Sequence, residues 1–392
     1  MYSGFQWNYF SSLSDGPIRE RATSFLLSVD WQALLNYAAN VRNGMECTLL
    51  SHIGLGHNHM VRIIRFMDDV QWIARLRLPS LKDGETFSDI AKSMECEAST
   101  IALVRQRTRI PVPEVYAFES DSNCSVKTPF MLMECFNGNV GMDLGMEVPP
   151  EHQQNFFKDL AEIHVELSTI QLPMIGTIQR INEDGTIQQG PLPGLGGPFF
   201  TATEFFKAWC AKVKFGLSNK RLSEACGPYA AELVPSIESF PTKLAMMASR
   251  LSKFDKGLFP LIHGDFGHNN VVVNDDYQII GVIDWEKAFA APWEIAGDFP
   301  LTLSTIPPAM DAPWNYDEMG KPLDPILAKK FANQKDYIAN IKDAEDARSI
   351  TELPRLLNLL QDSCKQRLMT AIMRLYPSGK VGFYSNLVLE IS

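Results

Sequence analysis

Apolar positions in the first third of the chain fall into short runs separated by turn residues. Trp31 to Ala39 reads as a short helix that ends before Gly44. Three strand-like runs follow, Cys47–Ile53, Met60–Phe66 and Gln71–Leu78, with Asp68-Asp69 at the second turn and Pro79 closing the third. A helical stretch from about Phe87 to Arg107 leads into the breaker Pro111-Val112-Pro113. Val115–Phe118 and Pro129–Cys135 are two further runs, the second ended by Asn137-Gly138. Five strands with one helix after the third predict a small α+β lobe, 1–135, with a short N-terminal helical extension.

The pattern changes after Pro149-Pro150. Phe156, Leu160, Ile163, Leu167 and Ile170 recur at spacings of 4, 3, 4 and 3, which predicts an amphipathic helix. His164 flanks that stripe and is expected to be packed or hydrogen-bonded. The Gly- and Pro-rich segment 174–200 predicts a short hairpin and loop. Thr203–Lys214, Tyr229–Lys253 and much of the chain beyond Pro325 read as helices. A second, mainly helical lobe, 136–392, follows, and 392 residues are too many for one ordinary core.

One segment of that second lobe is not helical. Leu258 to Ile262 is an apolar run that delivers His263-Gly264-Asp265. Val271–Val273 and Ile279–Ile283, joined by Asn274-Asp275-Asp276-Tyr277, predict a tight hairpin. Its ends place Asn270 beside Asp284, with Asp265 just upstream. Two oxygen donors and a further carboxylate are what phosphoryl transfer needs. The donors hold Mg²⁺ against the phosphates, and the carboxylate orients the attacking hydroxyl and takes its proton.

His263-Gly264-Asp265-x₄-Asn270, followed by Ile283-Asp284-Trp285-Glu286, resembles the catalytic and metal motifs of the aminoglycoside phosphotransferase family. That family shares the protein-kinase fold, with its H-R-D-x-x-x-x-N and D-F-G motifs. The resemblance implies a two-lobed, kinase-like α+β fold. Asp265 is then the catalytic base, Asn270 and Asp284 are the metal ligands, and His263 steadies the catalytic loop. It spans about Gly44 to Pro300. Pro111-Val112-Pro113, and Pro198-Phe199-Phe200 before the Trp209 helix, are similar to fungal members.

The first lobe adds its own signal. Ile90, Met94, Glu97, Ile101 and Val104 share one helix face, so Glu97 falls on a stripe expected to be buried, where a carboxylate needs a cation. Arg75 and Arg77 point the same way from the third strand. Arg75 is the preferred partner because Ile73 matches the kinase V-A-I-K pattern, in which a Lys pairs with the helix Glu and orders the phosphates. Arg77 stays open as the alternative, as does a Glu97 turned to solvent. Gly54-Leu55-Gly56-His57-Asn58-His59 offers two glycines of G-x-G-x-x-G, with His59 at the third, although a bare β-turn accounts for it as well. Met131 to Cys135 matches the hinge, where the backbone of Glu134 and Cys135 would hold the purine.

Composition narrows the function classes. The net charge is −10 with no Lys/Arg stripe, which argues against nucleic acid as a partner. No apolar run reaches the roughly 18–20 residues a membrane span needs. Met1 to Asp30 lacks a basic segment followed by an apolar one, so the expected compartment is the cytoplasm. The seven cysteines are scattered without Cys-x-x-Cys spacing, which suits core residues rather than zinc ligands.

The expectation is an ATP-dependent phosphotransferase, with GTP also possible, that uses Mg²⁺ and moves the γ-phosphate to a hydroxyl of a small molecule. Two readings compete with it. One is a catalytically silent pseudokinase acting as a binding or regulatory module; the other is an enzyme acting on a protein hydroxyl. Nothing in 171–257 resembles the activation segment a protein kinase carries. Trp285, Glu286, Trp293, Glu294 and Asp298 are candidates to receive a polar or cationic acceptor, with Trp293 and Glu294 read alternatively as anchors of the segment after Asp284.

Overall fold

A computed structural model describes residues 3–81 and 86–391 of the chain. The extreme residues of the expected lobes 1–135 and 136–392 thus lie outside the described residues. Three helices open the chain: α1 (Tyr9–Ser12), α2 (Pro17–Ser28) and α3 (Trp31–Val41). Pro17 starts α2, where a missing N–H costs nothing. Asp30 caps α3 by accepting from the Ala33 N–H at 2.9 Å.

The strands β1 (Cys47–Leu55), β2 (His59–Phe66) and β3 (Gln71–Arg77) follow, then α4 (Phe87–Arg107), β4 (Val115–Glu119) and β5 (Phe130–Glu134). They form one antiparallel sheet in the order β1-β2-β3-β5-β4. Its register sets Ile63 against Ile73 and Ala74 against Leu132. Met60, Ile63, Ala74, Leu76, Phe130 and Leu132 are wholly buried. β1 and β2 run on to Leu55 and back to His59, because backbone pairing continues through Gly54 where the apolar pattern stops. Helix α4 begins with a capping box in which the Thr86 hydroxyl accepts from the Asp89 N–H and the Asp89 carboxylate accepts from the Thr86 N–H.

Further along come α5 (Gln153–Ser168), the short strand β6 (Gln171–Leu172), and a hairpin of β7 (Thr177–Ile181) and β8 (Ile187–Gly190). Helices α6 (Ala202–Lys212), α7 (Asn219–Cys226), α8 (Ala230–Met246) and α9 (Ala248–Leu251) precede β9 (Phe259–Ile262). The hairpin of β10 (Val271–Val273) and β11 (Ile279–Val282) is followed by β12 (Phe289–Ala290) and α10 (Trp293–Ala296). Helices α11 (Pro325–Ala347), α12 (Leu356–Gln361), α13 (Ser363–Thr370) and α14 (Tyr384–Ile391) close the chain. The single helix expected over Tyr229–Lys253 is two helices, parted at Met247.

The chain divides into two compact units whose segments alternate along the sequence. The first runs to Phe156 and adds Ile178–Gln188 and His268–Lys287; the second takes Phe157–Thr177, Gln189–Gly267 and everything from Ala288 onward. The first unit's core is Phe25, Leu34, Met60, Ile64, Trp72 and Phe130 with their neighbours. In the second, Phe240 packs against Trp209, Tyr376 and Tyr384 with ring centroids 4.9–6.3 Å apart. Its sheet has the order β12-β9-β6. The fold is α+β, with a five-stranded antiparallel sheet in the first unit. No described helix is long and apolar enough to cross a membrane.

Candidate active site

In the first unit, Arg75 on β3 meets Glu97 on α4: its Nη1 donates to both carboxylate oxygens, at 2.6 and 2.5 Å. The other arm of the same guanidinium donates to Asp284 Oδ1. Arg77, the alternative partner, instead pairs with Glu286 at 3.1 Å. Glu97 is 3% exposed and also accepts from the Trp285 N–H at 3.1 Å, so it lies buried and fully engaged rather than turned to solvent. Burial raises the Glu97 carboxyl above its ordinary range, against the pull of Arg75. Burial alone would lower Arg75, but Glu97, Asp284 and Glu286 reverse that and raise it.

The β10–β11 hairpin brings Asn270 and Asp284 together. Asn270 ends a short 3₁₀ turn before β10, and its carbonyl accepts from the Ile283 N–H at 3.0 Å, one residue before Asp284. Asp284 has φ +66°, a left-handed backbone that aspartate tolerates better than most residues but which still stores strain. Its side chain is one-third exposed, while Asn270 is buried. Two oxygen donors at adjacent hairpin ends fit Mg²⁺, which takes few protein ligands and prefers oxygen.

The glycine-loop residues Asn58 and His59 also reach the neighbourhood of Asp284 and Glu286. Asn58 Nδ2 donates to Glu286 Oε1 at 2.7 Å. His59 faces Arg77 across the β2–β3 ladder, so the two side chains share a face. Burial, with Arg75 and Arg77 adding to it, holds the His59 imidazole well below its usual pKa, neutral at pH 7. The only signal of His59 in the sequence was a histidine where the third glycine of the loop motif belongs.

Gly54 lies in β1 opposite Val61, and a Cβ on it would stand 3.4 Å from the Trp7 ring. Gly56 is in the turn, with its N–H bonded to the His59 carbonyl and room for a Cβ. Trp7 belongs to an amino-terminal strap. Ser3 donates to Asp275 from its N–H and its hydroxyl, both at 2.7 Å. Buried Asn139 accepts from the Gln6 N–H at 2.8 Å and donates to the Gly4 carbonyl at 3.1 Å. Phe5 lies against Trp7 and His52. At the hinge position, Glu134 accepts from the Glu114 N–H and faces Arg105 at 3.6 Å. Burial pushes the neighbouring Cys135 thiol up to about 12.

The second unit carries His263-Gly264-Asp265 at the end of β9. His263 is 1% exposed, and its Nδ1 accepts from the Asp265 N–H at 3.4 Å, which braces the loop from inside. Gly264 has φ +79°, a conformation glycine adopts without strain. Trp293, Glu294 and Asp298 are each engaged within the second unit. Trp293 donates to the Leu258 carbonyl, and Glu294 accepts from the Lys253 N–H. Asp298 takes Gln366, Thr370 and the Phe299 N–H, and pairs with Arg374.

The sequence profile of the phosphotransferase enzyme family matches residues 76–295, more than half of the chain. The chain belongs to this family. The profile takes in Glu97, Asp265, Asn270 and Asp284 and begins one residue after Arg75. A relative from Meyerozyma guilliermondii, altered inheritance of mitochondria protein 9, is 21% identical over 263 residues. That match takes in 64% of this chain but only 42% of the relative's length. Among solved structures, a macrolide 2′-phosphotransferase from Brachybacterium faecium is 14% identical with a TM-score of 0.44, over 88% of this chain and 98% of that one. A thermostable mutant of the aminoglycoside phosphotransferase APH(4)-Ia is 15% identical with a TM-score of 0.42, over 91% and 97%.

Proposed function

We propose that this phosphotransferase moves the γ-phosphate of ATP or GTP to a hydroxyl of a small molecule. The observation that supports it best is the first unit's cluster, in which Arg75 links Glu97 to Asp284 and the hairpin sets Asn270 beside Asp284. Asn270 and Asp284 would hold Mg²⁺, which when bound neutralises charge on the phosphates. Arg75, fixed by Glu97, orients the α- and β-phosphates. Asp265 orients the acceptor hydroxyl and receives its proton. The acceptor oxygen bonds to the γ-phosphorus as the bond to the β-phosphate oxygen breaks, and the nucleoside diphosphate leaves.

Thermal unfolding with ATP, GTP and Mg²⁺ tests the nucleotide half of this reading. Ligand at about 100 times its Kd stabilises the fold by roughly 2.7 kcal/mol, a shift of a few degrees. The shift should require Mg²⁺ and disappear in Asp284→Ala; no shift with any nucleotide would sink the proposal. Asp265→Ala should abolish turnover of hydroxylated acceptors while keeping nucleotide binding. One observation favours the silent-module reading: Arg75 already occupies one oxygen of Asp284. Nucleotide binding by the wild type without turnover on any acceptor would decide for it. Cytoplasmic residence is also a proposal. The name of the Meyerozyma guilliermondii relative makes a mitochondrial location the competing outcome, which cell fractionation resolves.

A further inference from the structure

We propose that His59, Asp284 and Glu286 form a site for a transition-series divalent cation such as Mn²⁺, with a ligand set distinct from the Asn270–Asp284 pair. One donor atom from each of the three residues lies within 4.8 Å of the other two. Ligands about 2.0–2.2 Å from a shared ion stand up to roughly 4.3 Å apart, so the three atoms are already near coordination spacing. Two carboxylates alone would not make a site. The deciding group is His59.

The His59 residue is 9% exposed, and its imidazole has no hydrogen bond among the described residues. A ring nitrogen lies within 4.8 Å of a carboxylate oxygen of both Asp284 and Glu286 without bonding to either, and an ion between them would engage all three. The scaffold sets this arrangement in advance. The β2–β3 register puts His59 beside Arg77, while Arg77 and Asn58 hold Glu286 in place. The left-handed backbone at Asp284 turns that residue into the same cluster.

The existing ion pairs leave capacity. Asp284 gives one oxygen to Arg75, and Glu286 gives one contact per oxygen to Arg77 and Asn58. An ionised carboxylate offers about four lone-pair sites. Among the described residues Glu97, Asp284 and Glu286 set three carboxylates against the guanidiniums of Arg75 and Arg77, with which a cation here would share them. The ligand type selects which one. An imidazole nitrogen with two carboxylates suits Mn²⁺, Co²⁺ or Zn²⁺, whereas Mg²⁺ and Ca²⁺ prefer oxygen donors throughout. This inference needs no nucleotide and is separable from the phosphotransfer reading.

The test is electron paramagnetic resonance of the nucleotide-free full chain titrated with Mn²⁺ alone. The wild type should take up Mn²⁺, and electron spin echo modulation should show ¹⁴N coupling from an imidazole ligand. His59→Ala should lose that coupling and bind about tenfold or more weakly; Glu286→Gln, which keeps the shape of its side chain, should also weaken binding. Saturated wild type without ¹⁴N coupling would overturn the site, and that result stands even if His59→Ala fails to fold. Unchanged affinity in His59→Ala would overturn it too. The Mg²⁺-nucleotide thermal shift separates the two proposals. A shift without ¹⁴N coupling removes only the second metal site, and coupling without a shift removes only the nucleotide reading.

Discussion

Arg75 does with one guanidinium what an ammonium cannot. Its planar fork serves two carboxylates at once, Glu97 through one arm and Asp284 through the other. A lysine there is a single point charge, so Arg75→Lys should leave one of the two poorly held. Arg75→Met leaves buried Glu97 without a cation and should cost about 3–5 kcal/mol in urea unfolding, with Arg75→Lys falling between it and the wild type. The sequence disclosed the need for a cation, because Glu97 fell on an apolar helix stripe. It ranked Arg75 and Arg77 only by motif, since both leave the same strand face; Glu286 separates them by pairing with Arg77.

His164 supplies a second test at this scale. Its Nδ1 meets the Tyr337 hydroxyl at 2.9 Å and its Nε2 the Ala296 carbonyl at 2.7 Å. Burial lowers its pKa to about 4, against about 6.5 in the unfolded chain. The folded state therefore binds fewer protons between those values. The stability is complete above about pH 6.5, is lost as pH falls, and levels off below about 4. Between pH 7 and 5 the loss should approach about 2 kcal/mol, from roughly 1.4 kcal/mol per tenfold change. His164→Gln should show a flatter stability profile over that interval, measured by urea denaturation.

Among the elements, the β10–β11 hairpin matters most, because it sets the spacing of Asn270 and Asp284. Gly281 in β11 packs directly beneath Phe136: a Cβ there would stand 2.3 Å from the ring. Gly281→Ala should destabilise by about 1–3 kcal/mol through overpacking, and Phe136→Leu in the same chain should recover part of it in thermal unfolding. Thr86→Ala removes a cap from the helix that carries Glu97 and should cost about 1 kcal/mol. The hairpin was readable from its sequence because its signals are local: two apolar runs and an Asn-Asp-Asp turn. The break between α8 and α9 was not readable, since Met247 is no helix breaker and α8 keeps both Pro235 and Pro241 inside it. Helix α2 also went unread, with only Ala22 and Phe25 buried and hence little periodicity to see.

At the scale of the whole molecule, the two units share the chain in alternating segments. Sequence character changes after Pro149-Pro150, yet 268–287 packs with the first unit, a pairing that no local pattern encodes. A fragment ending at Phe156 would lack Trp285, whose N–H meets Glu97, and the hairpin whose Gly281 packs under Phe136. It should show little cooperative unfolding by circular dichroism, whereas the full chain unfolds cooperatively.

The strap sets an order of events during synthesis. Ser3 leaves the ribosome well before its bonding partner Asp275, which is 272 positions later. At about 5–20 residues per second, the early residues wait on the order of tens of seconds for the turn that fastens them. Trp7 and Gly54 can meet early, being close in sequence, yet the far end of the strap stays loose until the hairpin emerges. Newly made chains arrested before that point should therefore leave Ser3 unfastened, and the strap should be cut by protease faster than in the finished chain.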